Sequence, residues 1–186
     1  MIISSNLKDF KKKHLNKINQ VIYFSEKFKN KFIIEKLVNN FLNEKNSFVF
    51  ESVEKGKIRG RYTIFGKNPD KIWELKNNRV YFLKKKNRKI INKSPYLFLK
   101  KLVEEFRFPT PKNLPPICSL LAGFFSYDII RYIEKIPNKC LDDLNLPDVR
   151  ILRPTSTIIL DNVKKKIFYI VNCYHDEKIN NFKKKI

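Results

Sequence analysis

Alanine is almost missing from this chain. Its 186 residues hold one, Ala122, and only four glycines, Gly56, Gly60, Gly66 and Gly123. Long apolar runs are missing too. The longest strongly apolar stretch, residues 117–125, is about half a membrane span and is broken by Ser119. The opening Met-Ile-Ile-Ser-Ser-Asn passes straight into charged residues and lacks the pattern of a signal peptide. The expectation is a soluble, cytoplasmic chain with no membrane partner. The three cysteines (Cys118, Cys140, Cys173) are far apart with no C-x-x-C pair, and the only histidines are His14 and His175. A structural zinc site needs four closely organised ligands, so free thiols in a reducing compartment are expected. Acidic residues are scarce as well, 18 against 40 basic ones.

What is present is lysine. The formal net charge is +22, and 32 of the 40 basic residues are Lys, alongside 23 Ile and 20 Asn. Lys, Ile and Asn share A/T-rich codons, whereas Ala, Gly, Pro and Arg use G/C-rich ones. Genome composition therefore accounts for much of the charge. The lysine runs at 11–13, 84–86, 164–166 and 183–185 are scattered rather than gathered. They read as solvated surface, with a polyanion site as the competing reading. Against that background each glycine marks a candidate special backbone position. The length suits one good-sized domain, able to bury roughly 70% of its unfolded surface without disulfides. Its 42% apolar and 13% aromatic content excludes a wholly disordered chain.

Periodicity predicts an amphipathic helix over 7–19, a strand over 21–24 and a helix over 32–43 with a stripe of Ile33, Ile34, Leu37, Val38, Phe41 and Leu42. Strands follow at 47–52 and 61–65, the second closed by Gly66, with a glycine-containing loop between them. Runs 71–76 and 79–83 flank Asn77-Asn78, a hairpin signal. Pro95 opens a helix to about 106. Residues 120–125 read as a buried strand, and Ser126 as the cap of a short helix to about 134. Strands at 149–160 and 167–171 complete an α+β chain: a largely antiparallel sheet or β-sandwich with three or four helices. No repeat and no domain boundary is visible.

The first segment with chemistry is Phe48-Val-Phe-Glu-Ser52. Alternation puts Phe48, Phe50 and Ser52 on one face, which the two Phe mark as the core face. Ser52 then needs a hydrogen-bond partner. If strands 47–52 and 61–65 pair, Arg61 can approach it. A guanidinium and a hydroxyl at the rim of an apolar slot can hold an amino-acid carboxylate and bury a ring. The alternative is a capped strand end with Arg61 paired to Glu51 or Glu54.

Phe-Glu-Ser-Val-Glu-Lys-Gly-Lys-Ile-Arg-Gly-Arg-Tyr-Thr-Ile-Phe-Gly, residues 50–66, resembles the N-terminal region of anthranilate synthase component I. The family pattern there is roughly L-L-E-S-V-E-x-G-x-x-x-G-R-Y-S-F-I-G. Three further stretches match in order. Leu114-Pro-Pro with Ala122-Gly-Phe-Phe-Ser-Tyr-Asp-Ile-Ile-Arg-Tyr132 is similar to P-P-F-x-G-G-x-x-G-Y-x-x-Y-D-x-x-R. Leu146-Pro-Asp148 is similar to the family's L-P-D, and Leu160-Asp-x-x-Lys-Lys-Lys-Ile-Phe-Tyr-Ile170 to its final strand hairpin. The resemblance spans about residues 20–172.

It implies the N-terminal domain of that fold over 1–186, with the chorismate-binding half absent. The complete component I converts chorismate to anthranilate, a lyase reaction of tryptophan biosynthesis. It takes ammonia from a glutamine amidotransferase subunit (component II) and needs Mg²⁺, which the C-terminal half would bind. The resemblance implies no catalytic residue, cofactor or metal site in this chain. It implies instead an allosteric site for L-tryptophan, with Ser52 on the ligand's polar end and Glu51 and Arg61 beside it. Gly123, Tyr127, Asp128 and Arg131 carry over as a structural motif, Gly123 for close packing and the others as a polar network against the catalytic half. Phe28-Lys-Asn-Lys-Phe32 stands where the family often has Asp-x-x-Thr-Pro, and Ala122 and Ser126 replace family glycines. Rival readings are the paralogous aminodeoxychorismate synthase component I, a standalone amino-acid-sensing domain, and a basic RNA-binding module. No RNP-like motif appears and most aromatics fall on predicted core faces, so no nucleic-acid partner is expected.

Overall fold

Asn77 and Asn78 adopt positive φ angles of 50° and 57°. These are the angles a two-residue turn needs to match the right-handed twist of its flanking strands. They join β3 (Tyr62–Lys76) to β4 (Arg79–Lys84), with Lys76 opposite Arg79. The computed structural model describes residues 7–28, 32–52, 60–84, 87–106, 108–137, 139 and 141–177. The other strands are β1 (Gln20–Lys27), β2 (Phe48–Phe50), β5 (Asn87–Ile91), β6 (Ala122–Phe125), β7 (Val149–Asp161) and β8 (Lys166–Cys173). They form one eight-stranded sheet in the order β1-β8-β7-β3-β4-β5, with β2 added to β3 and β6 to β7. The pairings β1–β8, β2–β3, β3–β4, β4–β5, β6–β7 and β7–β8 are all antiparallel. The helices are α1 (Leu7–Leu15), α2 (Phe32–Leu42) and α3 (Pro95–Glu105), with 3-10 turns at Pro116–Cys118 and Tyr127–Tyr132. The expected antiparallel α+β architecture is what forms.

Two compact units share the chain: residues 1–70, 108–120 and 154–186, and residues 71–107 and 121–153. The first has two main apolar clusters. One gathers Val21, Leu114, Cys118, Ile159, Phe168 and Ile170. The other gathers Phe28, Phe41, Phe65, Leu160 and Ile167, over which α2 lays Ile34, Leu37 and Val38. In the second unit Trp73, Leu75, Val80, Val149 and Ile151 form the core, and α3 covers it with Phe98, Leu99 and Leu102. Pro95 starts that helix because its missing N–H falls where no intrahelical bond is made. Cys118 and Cys173 are buried free thiols. Cys140 lies outside the described residues.

Several local expectations are corrected. Strand 61–65 does not stop at Gly66: β3 runs unbroken through Gly66, Asn68 (φ 54°) and Pro69 to Lys76. A Cβ at Gly66 would meet the ring of Phe48 on β2. Residues 120–125 are not a buried strand. Only Ala122 of β6 is buried, while Phe124 and Phe125 are exposed. Ser126 caps no α-helix: a 3-10 turn follows it, its hydroxyl makes no capping bond, and its N–H donates to the Asp148 carbonyl at 2.7 Å. On β2 it is Val49 that packs into the core, against the cluster containing Phe41 and Phe65. Phe50 remains 44% exposed. Strand β5, rich in charge, had no apolar pattern to announce it.

Candidate functional site

Arg61 stands at the entrance to β3, and among the described residues its acid partner is not Glu51 but Asp161, the last residue of β7; Glu54 lies outside the described residues. The guanidinium Nε donates to both carboxylate oxygens at 3.2 Å and Nη2 donates to Oδ2 at 2.6 Å. The cation also lies over the Tyr62 ring, 4.8 Å from its centroid. Asp161 is 2% exposed as a side chain, and its Oδ1 accepts the backbone N–H groups of Val163 at 3.1 Å and Lys164 at 2.9 Å. The following residue ties the same two elements: Asn162 N–H donates to the Arg61 carbonyl at 2.8 Å, and its side chain reaches Thr63 Oγ1 at 3.3 Å. Burial pushes the Asp161 carboxyl up, but the Arg61 contact and the two turn N–H groups outweigh it and hold the carboxyl below its ordinary range. The hydrogen bond to Asp161 raises Arg61 in turn.

Glu51 and Ser52 follow β2 directly, and both are exposed. The β2–β3 register pairs Phe50 with Ile64. The ladder ends there, before Ser52. No hydrogen bond joins Ser52 to Arg61 among the described residues. The intervening loop residues 53–59, with Glu54 and Gly56, lie outside the described residues. The guanidinium instead gives its Nε and Nη2 to an acid 100 positions away.

The motif at 123–131 is built in the second unit. A Cβ at Gly123 would run into the backbone carbonyl of Arg150, across the Gly123–Ile151 pair of β6 and β7. Gly123 thus allows the close approach expected of it. Asp128 and Arg131 are joined at 2.7 Å, and Arg131 Nη1 also donates to the Ile136 and Pro137 carbonyls at 3.2 and 3.0 Å. Tyr127, at 92% exposed, stands outside this network. Nearby, the Tyr132 hydroxyl donates to Asp148 at 2.6 Å. Burial and that carboxylate push the Tyr132 phenol up. A cleft of about 600 Å³ opens beside these groups, lined by Asn77, Asn78, Asp128, Arg131, Tyr132 and Asp148 among others. At its edge Asp142 accepts from Lys76 at 3.1 Å and from Asn145 N–H at 2.9 Å, which hold its carboxyl low. The acids here are engaged by neighbours, as in a braced loop.

Sequence reading missed Asp161. Its only signal is that it is the acid closing the last hairpin, followed by Asn162 and a lysine run. Among the described residues no group of three or more His, Cys, Asp or Glu is placed to hold a metal ion. No helix among them is long and apolar enough to cross a membrane.

No family model matches the chain. Curated proteins do. Anthranilate synthase component 1 of Cereibacter sphaeroides is 36% identical over 127 residues, covering 66% of this chain and 25% of that protein. The protein of the same name in Acetivibrio thermocellus is 32% identical over 139 residues, 74% of this chain and 28% of that protein. The chloroplastic anthranilate synthase alpha subunit 1 of Oryza sativa is 33% identical over 153 residues, 74% and 26%. A crystal structure of anthranilate synthase component I from Streptococcus pneumoniae TIGR4 superposes with a TM-score of 0.56 over 81% of this chain and 32% of that one. At 22% identity this last likeness shows the fold alone. The chain spans about a quarter of the length of the curated relatives it matches.

Proposed function

Because the chain belongs with the anthranilate synthase component I family, matching about a quarter of its members' length, we propose that it serves as the L-tryptophan-binding, feedback-sensing portion of an anthranilate synthase. The observation that carries this reading is the 36% identity over 127 residues to a named component 1. The ordered motifs at 50–66 and 122–132 support it. In this reading Ser52 holds the amino-acid end of tryptophan, with Glu51 beside its ammonium and Arg61 near its carboxylate. The polypeptide works in the cytoplasm with a glutamine amidotransferase that supplies ammonia. Conversion of chorismate to anthranilate, a lyase step, falls to regions of the family beyond the matched quarter. So does Mg²⁺, and no step is routed through it here. The relatives quoted above carry the anthranilate synthase name, which favours this reading over the aminodeoxychorismate one.

Ser52→Phe in the full-length gene product, assayed with its amidotransferase, tests the site. Ser52 is exposed, so a bulky ring there would obstruct a ligand held by its hydroxyl without disturbing a core. The expected outcome is anthranilate production largely intact and tryptophan inhibition relieved. Inhibition equal to wild type would sink the assignment of Ser52.

A further inference from the structure

We propose that Asp161 is the positioning residue of the tryptophan site, acting through Arg61; the inference rests on the reading of residues 51, 52 and 61 as that site. An arginine at the start of a strand ordinarily samples many rotamers. Here Nε and Nη2 are held by Asp161 and the cation lies over Tyr62. The Arg61 carbonyl accepts from Asn162. The buried carboxylate that does the holding is itself fixed by the N–H groups of Val163 and Lys164. Of the terminal nitrogens, Nη1 takes no part in the Asp161 contact. It is a donor whose position is settled before any ligand arrives, which lowers the ordering cost of binding. Arg61 is thus shared: one edge of the fork goes to Asp161 and the outer nitrogen to a ligand carboxylate.

This assignment makes a prediction opposite in sign to simple electrostatics. Asp161 offsets the charge of Arg61, so Coulomb attraction alone says that removing it tightens the binding of a carboxylate. Positioning says that removing it weakens binding. Calorimetric titration of the full-length gene product with L-tryptophan decides between them. Asp161→Asn is expected to bind roughly tenfold more weakly, and Asp161→Glu, which keeps the charge but moves it by one methylene, to lose less. In an Arg61→Lys background Asp161→Asn should add nothing, because the two act as one unit. Unchanged or tighter binding by a folded Asp161→Asn protein overturns the proposal. So does an equal further loss in the Arg61→Lys background, which would mark a merely structural role. If Asp161→Asn does not fold, Asp161→Glu decides, and wild-type affinity in it overturns the proposal. Absence of tryptophan binding in the wild type removes the site reading and this inference together. Binding that Ser52→Phe abolishes but Asp161→Asn leaves untouched removes the positioning role alone.

Discussion

Asp161 makes the stability of the first unit depend on pH in the acid range. Its carboxyl is held below the ordinary range in the folded chain, so the protonated form is disfavoured there relative to the unfolded chain. A depressed acid stabilises the fold fully above its unfolded pKa of about 3.9 and loses that contribution as pH falls through the folded value. Asp161→Asn is therefore expected to cost about 2 kcal/mol at pH 7, the scale of a hydrogen bond to a charged group. The difference from wild type should shrink below about pH 4. Urea unfolding at pH 7 and pH 3 measures both, and a gap of equal size at pH 3 would contradict the account. At this scale the sequence is readable in part. Arg61 stands out because Arg is rare in a lysine-dominated chain, and its place before an aromatic strand suggests a rim. The choice of partner is not readable: Glu51 and Glu54 are near in sequence, whereas Asp161 is brought close only by pairing the strands of the sheet.

Elements with a local cause are the legible ones. Asn77-Asn78 makes its hairpin, Pro95 starts its helix, and the apolar stripe of α2 faces a core. The misreadings share a different cause. Gly66-Lys-Asn-Pro69 has the composition of a turn, yet β3 carries it as strand. There Asn68 takes the positive φ and its carbonyl accepts from Thr155 Oγ1 at 2.6 Å on β7. Tertiary pairing supplies the partners that local sequence cannot. β6 offers the sharpest test. Gly123→Ala sets a methyl against the Arg150 carbonyl, backbone against backbone, where no flexible side chain can give way. We expect a loss of at least about 2 kcal/mol, seen as a fall in Tm of several degrees. An unchanged Tm would mean that β6 and β7 can part without cost.

For the whole molecule, a charge of +22 governs solubility and long-range attraction, not fold. Several of the basic side chains described here are engaged locally: Arg88 lies over Tyr81 and beside Glu74, Lys67 meets Glu44, and Arg150 meets Glu74. The match to about a quarter of the relatives' length bears on activity. The 186-residue chain, supplied with chorismate, ammonia and Mg²⁺, is expected to give no anthranilate fluorescence. Turnover by the purified chain would overturn the view that chemistry resides outside the matched region.

Patterns read over a few residues were determined by the sequence itself: an antiparallel α+β chain, its principal helices, the Asn-Asn hairpin, and the family resemblance carried by 50–66. They depend on backbone preferences and on the spacing of apolar side chains, which are local properties. Tertiary structure alone decided that β3 runs through Gly66 and that Val49 is the core residue of β2. It decided too that two units arise from interleaved segments, and that Arg61 belongs to Asp161. Each of these depends on which strand lies beside which, and hydrogen-bond ladders between distant segments leave no mark on the residues in between.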